Sequence, residues 1–190
     1  MNAQREKLRM MLTSAIFAAI IGILAQVTIP LPLVPITGQT LAVGLAATIL
    51  GSKYGALSAL LYMLLGAVGV PVFSGMSGGM GIIVGPTGGF IVSFIISAFV
   101  IGWYIEATKA TVTHAFIANV IGMFINLFMG TAWLKVAASL SWPEAFAAGF
   151  LPFLIGGVIK ALLSAWLGIE IRKRLASARL LPYSSSKRTA

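Results

Sequence analysis

The chain has 190 residues, of which 59% are hydrophobic and 9% charged, with a formal net charge of +9, no cysteine, one histidine and four carboxylates. A mean hydropathy of +1.02, with charges far below the roughly one quarter found in soluble domains, excludes a soluble globular protein. The missing cysteines exclude disulfides and thiolate metal sites, and the histidine and carboxylates are too few for a metal-ligand cluster.

Turn signals and charges divide the chain into six apolar stretches, each near the roughly 20 residues that span ~30 Å of hydrocarbon. The first, 10 to 27, follows Arg5, Lys7 and Arg9. It is read as a retained helix and not a cleaved signal peptide, because the rest of the chain is itself polytopic. Its Ala15 and Ala19 form an A-x-x-x-A pair. Small residues at this spacing let helices approach closely, whether the partner is another chain or this one.

The connection QVTIPLPLVPITGQT (26 to 40) carries three prolines and no charge, so it cannot be a continuous helix. The second and third stretches lie at 38 to 52, short and glycine-bearing, and at 54 to 70. Next comes GVPVFSGMSGGMGIIVGPTGG (69 to 89), with eight glycines and again no charge. Irregular chain at membrane depth is tolerated only where protein buries it or where it lines a cavity. Both connections therefore read as caps dipping into the outer mouth of the bundle, or else as tightly packed surface loops. Gln39 and Ser77 are the polar groups best placed at these caps. The glycines do not bind nucleotide: Gly79, Gly81 and Gly85 give G-x-G-x-x-x-G, and no G-x-x-x-x-G-K-[ST] occurs.

The fourth and fifth stretches run from 87 to 104 and from 114 to 134. Asn119 and Asn126, seven residues apart in the fifth, share a helical face and suit interhelical hydrogen bonding or ligand contact. The sixth, 146 to 170, holds Lys160 near its middle, which places it near the bilayer midplane. A lysine there costs roughly 2.5–3.5 kcal/mol on insertion scales and must face the interior with a partner. Glu6, Glu106, Glu144 and Glu170 all lie at membrane borders. The ammonium is left with backbone carbonyls, the amides of Asn119 and Asn126, water, or an anionic ligand.

Lys and Arg fall almost wholly on one side: Arg5, Lys7, Arg9, Lys53, Lys109, Arg172, Lys173, Arg174, Arg179, Lys187 and Arg188 against Lys135 alone. By the positive-inside rule both termini are cytoplasmic, so topology accounts for the charge and no nucleic-acid partner is implied. Trp103, Tyr104, Trp133, Trp142, Trp166 and Tyr54 lie near stretch ends, as an aromatic belt at the two lipid interfaces does. The expectation is an all-α integral membrane protein: a six-helix transmembrane domain over 1–175 and a basic, flexible cytoplasmic tail over 176–190. No acid-base pair suited to catalysis is evident, so no enzyme is expected.

Three segments, PLPLVPITGQT, GAVGVPVFSGMSGGMGIIVGPTGGF (66 to 90) and FLPFLIGGVIKA (150 to 161), resemble the BioY family, the biotin-specific substrate-binding (S) components of energy-coupling-factor (ECF) transporters. The resemblance covers nearly the whole chain. It implies an ECF S-component-like bundle in a bacterial cell (inner) membrane, binding biotin in an outward-side cavity under the first and third connecting loops. Partners implied are a transmembrane coupling protein and two cytoplasmic ATPase subunits, with biotin as cargo and no cofactor. By position, Lys160, Ser77 and Gln39 correspond to ligand-contacting places. Ala15 and Ala19 match the motif that meets the coupling protein. One position departs: the family pattern has an Asp three residues before the lysine, where this chain has Gly157. That shifts acceptance of the ureido N–H groups to Gln39, Asn126 or water. Another small anionic vitamin, or a structural or regulatory role without a solute, are the alternative readings.

Overall fold

The structure, a computed structural model, describes residues 3–178 and 180. Most of the expected 176–190 tail, with Arg179, Lys187 and Arg188, lies outside the described residues. Seven helices occur among them: α1 (Ala3–Ala25), α2 (Gln39–Ala67), α3 (Met80–Val84), α4 (Gly88–Ala107), α5 (Val112–Ala137), α6 (Trp142–Gly149) and α7 (Phe153–Ser177). Two short strands, β1 (Thr28–Ile29) and β2 (Ile36–Thr37), pair antiparallel within the first connection. Five of the helices, α1, α2, α4, α5 and α7, are long and apolar enough to cross a membrane.

Two boundaries differ from the sequence expectation. The stretches expected at 38 to 52 and 54 to 70 run together as α2, but Gly51, at φ 84° and ψ −173°, breaks the helix. Only glycine enters that region at little cost. The break is a reversal: a Cβ at Gly55 would stand 2.7 Å from the Ala47 Cα, whereas eight residues of continuous helix would separate them by about 12 Å. Helix α4 presses on the turn, since a Cβ at Gly102 would stand 2.2 Å from the Ser52 nitrogen.

Two charged side chains close the turn. Glu106, at the end of α4, accepts from the Ser52 N–H (2.9 Å) and hydroxyl (2.6 Å), capping the arm that begins there. Arg172, late in α7, donates to the Thr48 and Ile49 carbonyls (2.9 and 3.2 Å), where the preceding arm ends. Each charge sits at the helix end whose dipole it complements.

The second difference is at 146 to 170, which is two helices. Helix α6 is opened by a Ser141/Glu144 capping box and α7 by Pro152 at its N-cap. Lys160 therefore lies seven residues, about 10 Å, from the start of α7, nearer the loop end than the midplane position expected for it.

Small residues bring the helices together, as they do where lipid supplies no hydrophobic drive. Gly44 abuts Asn119 and Ser164, and Gly168 abuts Thr48. Ile21, Tyr62, Phe73, Phe94, Ile101, Ile105 and Ile169 fill the main core. Large apolar side chains such as Ile16, Phe99, Trp103, Phe128, Ile155 and Trp166 point outward.

Candidate functional site

The site lies at the end of the bundle opposite Gly51, where the two irregular connections meet. In the first, the pairs Thr28↔Thr37 and Ile29↔Ile36 form a small hairpin whose turn takes up the prolines. It delivers the Thr37 carbonyl to Lys160, whose Nζ donates to it at 2.9 Å. In the second, the backbone doubles back at Phe73↔Ser77, with Gly75 and Met76 at φ 70° and 54°. Phe73, 1% exposed, plugs this hairpin into the bundle edge-on to Tyr62, ring centroids 5.5 Å apart. The Phe73 ring leaves no room for a side chain at Gly66, where a Cβ would stand 2.0 Å from it.

Between the hairpins and the helices is a cavity of about 230 Å³, lined by residues that include Gln39, Ser77, Asn126 and Lys160. Four of the polar residues singled out in the sequence thus share one space, with Asn119 outside it. Small-molecule pockets commonly span roughly 300–1,000 Å³, so a compact ligand would fill this one. Phe73, Phe90, Ile91, Phe94 and Phe153 supply an apolar wall, and Ser74, Ser77 and Thr87 a second polar patch.

Each polar side chain has a defined remainder to offer. Lys160 spends one proton on Thr37 and keeps two. Asn126 commits its amide nitrogen to the Phe90 carbonyl (3.0 Å) and the Ser93 hydroxyl (2.6 Å), leaving its Oδ1 as the available acceptor. Gln39 is held at both ends, accepting from the Thr37 hydroxyl (2.8 Å) and donating to the Tyr62 hydroxyl. Ser77 donates to the Ser74 carbonyl at 2.8 Å and keeps its lone pairs. The Thr40 hydroxyl, also on the cavity wall, is buried without a partner. The arrangement presents a cation and an acceptor within a largely apolar space, which suits a small molecule bearing an anionic or carbonyl oxygen and an N–H group.

Asn119 falls outside this cavity; its nitrogen bonds the Thr48 hydroxyl and the Ala115 carbonyl. It borders a smaller space of about 40 Å³ behind Lys160, together with Ser97, Met123 and Gly157. At Gly157 a Cβ would stand 2.5 Å from the Met123 Sδ, so the thioether occupies the room a side chain at 157 would need. Ala15 and Ala19 do not line the cavity and are exposed on the outer face of α1.

Sequence reasoning missed Thr37, Thr40 and Tyr62. Tyr62 carried a signal, since a phenol inside an apolar stretch needs a hydrogen-bond partner. Thr37 carried none, because it acts through its backbone.

Known proteins share this architecture. A crystal structure of the S-component for biotin from an ECF-type ABC transporter superposes with a TM-score of 0.82 at 27% identity, covering 91% of this chain and 95% of that one. Biotin transporter BioY2 of Lactococcus lactis subsp. cremoris is 40% identical over 173 residues, 91% of this chain and 95% of the relative. Biotin transporter BioY of Thermotoga maritima is 37% identical over 166 residues, 87% and 97% respectively. The BioY family itself matches over residues 1–177. With the family match, the fold and the relatives in agreement, the chain belongs to the BioY family.

Proposed function

We propose that the chain is a membrane-embedded, non-enzymatic biotin-binding S component of an ATP-driven ECF uptake transporter, capturing biotin on the outer side of a bacterial cell membrane. The observation that carries this reading is the cavity in which Lys160, Asn126, Gln39 and Ser77 converge. Biotin has a carboxylate and a ureido group on an apolar bicyclic body. The Lys160 ammonium, with two protons unspent, suits the carboxylate. The Asn126 Oδ1 suits a ureido N–H, the work that a carboxylate at position 157 would otherwise do.

Six membrane crossings within 1–175 and cytoplasmic termini belong to the same reading. The reversal at Gly51 supports two crossings in α2. Its arms of 12 and 16 residues reach about 18 and 24 Å, so both crossings are short. The basic residues Arg5, Lys7, Arg9, Lys53, Lys109, Lys173 and Arg174 gather at the Gly51 end, the cytoplasmic side by the positive-inside rule. ATP would be used by two cytoplasmic ATPases acting through a coupling protein, for which the exposed Ala15 and Ala19 are the proposed contact.

Calorimetry on the detergent-purified chain tests the ligand. Biotin should bind, while Lys160→Ala with biotin, and wild type with biotinamide, should both bind weakly. Folded wild-type protein that fails to bind biotin would reject the assignment and direct a screen to other small anionic vitamins.

A further inference from the structure

We infer that Gln26, outside the cavity, is a positioning residue that governs ligand access by holding the 73–77 hairpin shut against α1. The inference rests on the biotin-binding reading of the cavity. Gln26 follows the last residue of α1 and is half-buried. Its Nε2 donates to the Gly22 carbonyl (3.0 Å) and to the Phe73 carbonyl (3.0 Å), while its Oε1 accepts from the Met76 N–H (2.9 Å). One side chain thus satisfies backbone groups on both limbs of a turn whose own geometry is unfavourable, with the non-glycine Met76 at positive φ. A second tie joins the hydroxyls of Thr28 and Ser74 at 3.0 Å. A third contact is steric: a Cβ at Gly22 would stand 3.3 Å from the Val72 Cβ. The hairpin so held contributes Phe73, Ser74 and Ser77 to the cavity wall, whereas Gln26 itself does not line the cavity.

This placement separates gating from binding. A residue that touches the ligand changes how tightly it is held, which appears mainly in the dissociation rate. A residue that only holds a cover in place sets how often the cavity opens, so its loss speeds entry and exit together.

The test is rapid-mixing kinetics with biotin on the detergent-solubilised chain, comparing wild type with Gln26→Leu and, separately, Thr28→Val. Ligand-free thermal unfolding serves as a control for folding. The expected result for Gln26→Leu is that association and dissociation rates both rise by about tenfold while Kd changes by less than either. Thr28→Val should shift both rates the same way by a smaller factor. Unchanged rates in both variants would overturn the inference, as would a rise in dissociation alone with a matching rise in Kd. Should Gln26→Leu fail to fold, Thr28→Val decides by the same two criteria. Absence of biotin binding by wild type would instead be the failure of the biotin reading.

Discussion

Gln39 opens one helical element and Tyr62 lies 23 residues further along it, yet their side chains are hydrogen-bonded to each other. Uninterrupted helix would put about 35 Å between them. The bond exists because Gly51 turns the chain back, and it ties the floor of the cavity to the helix that carries Phe73's docking surface. Removing the hydroxyl in Tyr62→Phe leaves the buried Gln39 amide short of an acceptor. The expected cost is about 1–3 kcal/mol of stability, with weaker biotin binding as Gln39 loses its orientation. Thermal unfolding and a biotin titration on the same preparation check both effects.

Lys160 is expected to contribute more to binding than to folding. A hydrogen bond to a charged group is worth about 1.5–3 kcal/mol, so Lys160→Ala should weaken biotin binding by about ten- to a hundredfold. Its unfolding temperature should move less, since the cost of burying the ammonium offsets its one bond to Thr37. A variant that unfolds but binds normally when folded would make this a structural lysine.

At the opposite end, Gly51→Ala should destabilise without altering the cavity. Backbone at φ 84° carries a strain of about 1–3 kcal/mol for a residue with a side chain. A Cβ there would also stand 2.0 Å from the Glu106 Oε1, forcing that carboxylate off Ser52. A lower unfolding temperature with an unchanged biotin Kd is the expected pair of results; equal stability would contradict the capped reversal.

The capping box of α6 should respond to pH. Hydrogen bonds from the Ser141 hydroxyl and then from its backbone N–H hold the Glu144 carboxyl below its ordinary pKa. A lowered pKa in the folded state means that the stabilisation is complete above the unfolded carboxyl's pKa and fades as pH falls through the lowered value. Amide exchange across 142–149, corrected for its intrinsic pH dependence, should show protection falling in that acidic window. In Glu144→Gln the protection should stay flat.

Docking is separable from ligand capture. Ala15→Leu with Ala19→Leu enlarges an outward face of α1, so biotin binding should persist while co-purification with a coupling protein and its ATPases is lost. Retained assembly would place the partner elsewhere.

Hydropathy made the long helices legible, and the prolines and glycines marked where helix could not continue. That Lys160 needed an interior partner was legible too, from its charge alone. Its partner was not, because the Thr37 carbonyl, delivered by a local hairpin, lies 123 residues away from it in sequence. The division of 146–170 had a readable signal that went unused: Ser141 and Glu144 at capping-box spacing, then Pro152. Glu106 and Arg172 could be placed at a membrane border, but nothing local announces that they grip two ends of one turn. The A-x-x-x-A pair specified a close-packing face without saying whether that face turned inward.

Gly157 and Met123 have a consequence for how such a pocket changes over generations. The Met123 thioether fills the space that a side chain at 157 would claim. A carboxylate at 157 introduced alone therefore has to displace the flexible thioether, whereas trimming Met123 first leaves room for it beside Lys160. The two positions should be inherited as a linked pair, with sequences carrying an acid at 157 carrying a smaller or redirected side chain at 123.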